Sequence, residues 1–400
     1  MKYISFLVVA CLAWSSSSIE AAAPFIANSQ GTTAVPGSYI VVLKGNHTME
    51  SFQPKFNEVA TRLQNARGGR RPTINHKFTS MPGFTVTGTR ATLTELLNMD
   101  EIEYIEQDAI ITIQGTQTSP PSWGLPRVSQ HAGLTSAKTS YQYANTAGAG
   151  VTAYIVDTGI NTGHVDFGGR AKMGANFVRG SPNTDENGHG THVSGTIGGT
   201  TYGVAKKVSL VGVKVLDKAG SGATSAIVAA MDWIISVNKG KKAVVNMSLG
   251  GGSSRALNDA AGRLFQANIP VIVAAGNDAK QNACAGSPSG ASGAFAVGAS
   301  DINDVVATFS SFGKCVKIFG PGVQITSAWI GSNKAKNTIS GTSMATPHVV
   351  GVAALYLSSD NTLKTAAQVY NKLQKTATPN AIKGNLRQAA NLLVFNGGGK

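Results

Sequence analysis

Apolar positions along the chain follow two regimes that meet near residue 115. In the first, residues 38–43, apolar from Tyr39 on, predict a strand, and Phe52, Phe56, Val59, Ala60 and Leu63 recur at helical spacing and predict a helix over 49–66. Short strands around 74–78 and 83–87, a helix around 91–98 and a strand over 102–113 complete this part. The order strand-helix-strand-strand-helix-strand predicts a small α+β sandwich of ferredoxin-like type.

In the second regime, apolar runs recur between Gly-rich turns at 151–156, 208–215, 243–247, 271–275 and 294–297. Helical patterns fall between or after them, near 190–198, 223–239, 256–267 and 343–357. Strands that are apolar throughout are buried on both faces, so the pattern predicts an α/β domain with a mostly parallel sheet and helices on each side. Reactive groups in such sheets stand at the carboxyl ends of the strands. Between the two regimes, 114–122 holds two prolines and no charge, and reads as a linker or processing segment.

Composition narrows this picture. A chain of 400 residues with 42% hydrophobic, 14% charged and 47 Gly can bury a large core, which excludes disorder and collagen-like repeats. Charge separates the regimes again: residues 1–115 carry nine basic and nine acidic residues, whereas 116–400 carry 25 and 11, and hold the whole +14. Lys2, the apolar run 4–13 and Ala21, Ala22 and Ala23 read as a secretory signal peptide. That run is about half of the ~20 residues a membrane span needs, so an exported product without a membrane anchor is expected. Once Cys11 leaves with the signal, Cys284 and Cys315 remain. In an oxidising compartment they are expected to pair, the alternative being two buried free thiols.

Three segments carry chemistry. Asp157 ends the run 151–156, so a carboxylate stands at the carboxyl end of a buried strand; alone it reads as a turn or capping residue. His189 lies between Gly188 and Gly190 at the start of an apolar helix. His192 follows at a spacing that also suits a metal, but no carboxylate completes a His-Glu-x-x-His pattern. Ser343 opens the helix 343–357, where unpaired N–H groups and the positive end of the helix dipole point; alone it reads as a helix cap. Together the three supply an acid, a base and a nucleophile. No Gly-x-Ser-x-Gly elbow occurs in the chain, which argues against an α/β-hydrolase esterase.

Asp157-Thr158-Gly159-Ile160, His189-Gly190-Thr191-His192 and Gly341-Thr342-Ser343-Met344-Ala345-Thr346-Pro347-His348 resemble the three signature segments of the subtilisin-like serine proteases. Trp123-Gly124-Leu125 and Phe319-Gly320-Pro321-Gly322 resemble the proteinase K branch of secreted fungal enzymes, and residues 38–113 resemble that family's inhibitory propeptide. The resemblance implies Ser343 as nucleophile, His189 as base then acid, and Asp157 as the group that orients His189. It implies an oxyanion hole made by the Asn277 side chain and the Ser343 N–H. Gly220, Ser221 and Gly222 with Ser248, Leu249 and Gly250 are expected to line the substrate groove as edges for an added peptide strand, beside Ala274, Ala275 and Gly276. The resemblance implies a large apolar pocket that prefers hydrophobic or aromatic P1 residues; no acid occurs in 248–252 or 274–277 to select a basic P1, and broad endopeptidase specificity is the expectation. The spacing of Cys284 and Cys315 also matches a disulfide of some members.

The expected layout is a signal peptide over 1–23, a propeptide over 24–115 and a peptidase domain over 116–400, made as a self-processing zymogen. Its partners are protein and peptide substrates and its own propeptide, as chaperone and inhibitor; neither nucleic acid nor membrane is expected, and the enzyme is expected to be a monomer. No cofactor is required. Relatives hold a structural Ca²⁺ partly through an aspartate where this chain has Lys317, and an ammonium cannot ligate that ion, so no metal ligand is assigned. The sequons at Asn46 and Asn246 are candidate glycosylation sites, the second on a predicted buried strand where a chance match is favoured. The rival readings are an inactive binding protein of the same fold and a serine hydrolase for small esters.

Overall fold

The computed structural model describes residues 22–27, 33–78, 82–110, 114–135 and 140–398. The signal segment lies almost wholly outside them. By internal contacts the chain divides into two units, Met1–Ile111 and Thr112–Lys400.

In the first unit, β1 (Phe25–Ile26), β2 (Thr33–Leu43), α1 (Met49–Asn65), β3 (Thr73–Lys77), β4 (Gly83–Thr87), α2 (Arg90–Leu97) and β5 (Ile102–Ile110) form a sheet of order β1-β5-β2-β4-β3. Apart from the two-residue β1, the succession of strands and helices along the chain is the one that the periodicity predicts, and residues 111–113 of the last predicted strand lie outside the described residues. Phe52 and Phe56 of α1 and Leu96 of α2 close on Val41, Phe84 and Ile105, so each helix buries one stripe. Thr48 and Thr89 start the helices in capping boxes with Ser51 and Thr92.

The second unit begins with β6 (Gln114–Gln117), α3 (Gly124–Arg127) and β7 (Tyr141–Ala144). The segment read as a linker is thus partly a strand, paired antiparallel with β7. Then follow β8 (Thr152–Asp157), β9 (Ala171–Asn176), α4 (His189–Gly198), β10 (Ser209–Lys214), α5 (Thr224–Asn238), β11 (Ala243–Met247), α6 (Arg255–Gln266), β12 (Val271–Ala274) and β13 (Ala294–Ser300). The chain ends with β14 (Val316–Pro321), β15 (Ile325–Ala328), β16 (Lys336–Ile339), α7 (Thr342–Ser359), α8 (Ala366–Thr376), β17 (Thr378–Pro379) and β18 (Leu392–Leu393).

Strand order in the main sheet is β17-β18-β14-β13-β12-β11-β8-β10-β9, parallel except between β17 and β18. Side chains alternate across it with period two. Ala153 and Ile155 of β8 join a core with α4, α7 and α8, while Tyr154 and Val156 join a second core with α5 and α6. Both faces are therefore sealed, and the apolar runs need no polar alternation.

One topological detail positions the site. The connections β9-α4-β10 and β10-α5-β11 step in the same direction across the sheet, yet α4 and α5 lie on opposite faces. The two crossovers therefore have opposite hands, a departure from the near-universal right-handed rule. Its consequence is that α4 shares a face with α7. Both helices begin beyond the carboxyl ends of the strands, around β8, where strand order reverses between β10 and β11.

Candidate active site

Asp157 is the last residue of β8 and is fully buried. Its Oδ1 accepts from the Thr158 N–H at 2.8 Å and bonds to His189 Nδ1 at 2.8 Å. His189 is the first residue of α4, with its side chain a quarter exposed. The preceding Gly188 has φ +106°, and a Cβ there would lie 2.5 Å from the Trp329 ring, so glycine is required on both counts. Burial is the largest influence on the His189 pKa and pulls it down; the charge and hydrogen bond of Asp157, with the Asp185 charge, outweigh it and leave the ring above its ordinary 6.5.

Three α4 amides are held from outside the helix. His189 N donates to Asn187 Oδ1 at 3.2 Å, Gly190 N to Thr158 Oγ1 at 2.9 Å and Thr191 N to Asp185 Oδ2 at 2.9 Å. Sequence reasoning passed over Asp185, and placed Thr158 in a signature segment without giving it a role. A polar turn and a residue after a strand carry no signal until tertiary contact joins them.

Ser343 is the second residue of α7, after the N-cap Gly341 and Thr342, so the capping reading does not hold. Its Oγ donates to the Ser248 carbonyl at 3.0 Å, and Ser248 Oγ donates back to the Ser343 carbonyl at 2.8 Å. Asn277 Oδ1 accepts from both the N–H and the hydroxyl of Thr342, each at 2.8 Å. That fixes the amide, and its Nδ2 is the group left to donate.

The expected groove segments line two adjoining cavities. One, ≈590 Å³, is bounded by His189 and Thr158, the segment 220–222 and the segment 248–252. The other, ≈360 Å³, is bounded by Ala274, Ala275, Gly276, Asn277 and Ser343, and shares the wall 249–252. The second also has Asp278, Gln281 and Ser289 in its lining, polar groups outside the windows that suggested an apolar pocket. Asp278 is exposed, with Oδ1 taken by the Lys280 N–H at 2.8 Å.

Cys284 and Cys315 form a disulfide, Cα to Cα 5.3 Å. Lys317 donates to the Lys314 carbonyl at 3.2 Å. Asn46 is exposed, whereas Asn246 is fully buried with Nδ2 donating to Ser248 Oγ at 3.0 Å, which removes it as a glycan acceptor in the folded domain.

The subtilase family model matches residues 148–391, and the peptidase inhibitor I9 model matches 38–114. A subtilisin-like protease 2 of Pseudogymnoascus destructans is 42% identical over 90% of each chain, and a cuticle-degrading serine protease of Arthrobotrys oligospora is 39% identical over 98% of each. The crystal structure of a cold adapted subtilisin-like serine proteinase superposes with TM-score 0.64 at 44% identity, over 68% of this chain and 97% of that one. Fold and relatives define a serine endopeptidase. The chain belongs to the subtilase family and carries an I9 propeptide domain ahead of its peptidase domain.

Proposed function

We propose that this protein is a secreted endopeptidase of broad specificity that matures by cutting itself, with Ser343 as nucleophile, His189 as base then acid and Asp157 orienting His189. The observation that carries the reading is the pair of links around one cleft: His189 Nδ1 to Asp157 at 2.8 Å, and Ser343 to Ser248 in the wall that His189 also lines. The Ser343 hydroxyl turns from the Ser248 carbonyl towards His189 Nε2 and gives up its proton as Oγ attacks the scissile carbonyl. His189 then returns that proton to the leaving amine. Asn277 Nδ2 and the Ser343 N–H donate to the oxygen as it becomes negative, which favours the transition state over the substrate.

The buried Ala274 and Ala275 beside the glycine wall 250–252 favour hydrophobic or aromatic P1 side chains, with Asp278 at the rim. Export is supported by the apolar start of the chain and by a relative named extracellular serine proteinase, from Thermus sp., at 43% identity. Among the described residues no helix is long and apolar enough to cross a membrane. The serine chemistry itself calls for no metal, and the ammonium of Lys317, where the resemblance places an acid, argues against a structural Ca²⁺ at that position. Asn46 is the open glycan acceptor.

The test is expression of the full chain beside Ser343→Ala. The wild type is expected to cleave itself within 114–119, to hydrolyse a peptide with Phe or Leu at P1, and to be labelled at Ser343 by a phosphonylating reagent. A Ser343→Ala protein that still matures and cleaves overturns the reading.

A further inference from the structure

Asp185 is an acid that the chemistry above does not use. It is 6% exposed, and among the described residues no cation pairs with it. A buried carboxylate without a counter-ion needs many donors, and Asp185 has five. Oδ1 accepts from Thr158 Oγ1 at 2.8 Å, Asn187 N at 3.0 Å and Gly188 N at 2.9 Å; Oδ2 accepts from Thr191 N at 2.9 Å and Thr191 Oγ1 at 2.6 Å. These bonds join three pieces of chain: the residue after Asp157, the turn into α4, and the first turn of α4 itself.

We propose that Asp185 is the positioning residue of the base, tying the start of α4 to the end of β8 so that His189 stays in register with Asp157. The proposal rests on His189 acting as general base. Thr158 is the relay, because its hydroxyl donates to Asp185 while accepting from Gly190 N at 2.9 Å. The charge reaches His189 through space and raises its basicity, in the same sense as Asp157. The other groups nearby are fixed. Lys214 on β10 holds the Thr158 carbonyl at 2.7 Å and stands 3.7 Å from Glu186; His192 on α4 couples to His189 and to His348 on α7.

The test measures kcat, KM and the pH profile of kcat/KM for Asp185→Asn, Asp185→Glu and Thr158→Val. Displacing the base predicts that Asp185→Asn loses about tenfold to a hundredfold in kcat with KM nearly unchanged. Its acid limb is expected at lower pH than in wild type, whereas Asp185→Glu keeps the limb in place. A limb that does not move, or a kcat within twofold of wild type, overturns the proposal. Should Asp185→Asn fail to mature, Thr158→Val decides: it keeps the charge and cuts both relay bonds, so kcat falls while the limb stays. Wild-type kcat in Thr158→Val refutes the tether. An active Ser343→Ala protein refutes instead the assignment on which this proposal rests.

Discussion

Pro347 stands four residues after Ser343 in α7 and has no N–H to return to the Ser343 carbonyl; Ser248 Oγ donates there instead, at 2.8 Å. A proline in the second turn thus opens one acceptor on the serine-bearing turn, and Ser248, the residue after β11, fills it. Because Ser343 Oγ also donates to the Ser248 carbonyl, the two serines clasp each other across the join of sheet and helix.

Removing the clasp has a defined cost. Ser248→Ala leaves the part-buried Ser343 carbonyl without its side-chain donor, which predicts a loss of about 1–3 kcal/mol and a lower kcat. Pro347→Ala restores an amide donor to the same carbonyl. Added to Ser248→Ala, it is expected to recover part of the loss, read as a coupling in urea denaturation of the phosphonylated enzyme. Strict additivity sinks the account.

Asn277 combines a structural and a proposed catalytic task on opposite atoms of one amide. Asn277→Asp keeps the oxygen that holds Thr342 and removes the Nδ2 donor of this side chain, leaving the Ser343 N–H. The expected result is a kcat loss of roughly 10²–10³ with a small change in melting temperature. That magnitude is the one measured for the oxyanion asparagine of subtilisin. Equal loss of stability and rate would assign Asn277 to the fold alone.

Acid pH acts on the histidines in opposite senses. His189 lies above its ordinary 6.5, so the base form, and with it kcat/KM, rises on a limb above that value. Its contribution to stability has the reverse sign: full below 6.5, it fades as pH climbs through the folded pKa. His192 and His348 are pushed down to about 4, chiefly by burial. In each, one nitrogen donates to a carbonyl, Ile325 at 3.0 Å and Met344 at 2.9 Å; the other nitrogen of His348 has no partner among the described residues. The unfolded rings take protons that the folded ones refuse. Stability is therefore intact above 6.5 and falls towards pH 4, by about 3 kcal/mol per ring. Urea midpoints measured across that interval check the sign, and a flat profile contradicts it.

Element type was legible wherever burial was all-round or one-sided along the local period. The predicted run 243–247 is β11 to the residue, and α5 and α6 start and end within one residue of their predicted bounds. Elements whose identity depends on distant partners were not. Residues 114–117, Gln-Gly-Thr-Gln, have no apolar alternation and become a strand because β7 supplies the hydrogen bonds. The hairpin of β15 and β16 and helix α8 went unread for the same kind of reason: their apolar sides are defined by the core they meet. At the site, the sequence order presented Asp157, His189 and Ser343, but not the carboxylate of Asp185, the buried ammonium of Lys214 or the clasp at Ser248. Those depend on β8, α4, β10, β11 and α7 meeting at one edge of the sheet.

The disulfide offers a separation between stability and chemistry. Cys284 sits in a short turn whose neighbours Gln281, Gly286 and Ser289 line the smaller cavity, and Cys315 immediately precedes β14. The bridge closes a 31-residue loop, which in the chain-entropy account stabilises the fold by about 3–4 kcal/mol. Asp157, His189 and Ser343 all lie outside that loop. Replacing both cysteines by serine, or reducing the bridge, is therefore expected to lower the melting temperature and raise KM through the loosened cavity wall, while kcat at saturating substrate stays near that of the bridged enzyme. Paired measurements of melting temperature, KM and kcat with and without a reductant test all three parts. A fall in kcat at constant KM would show instead that the loosening reaches Asn277, seven residues before Cys284 on the same segment.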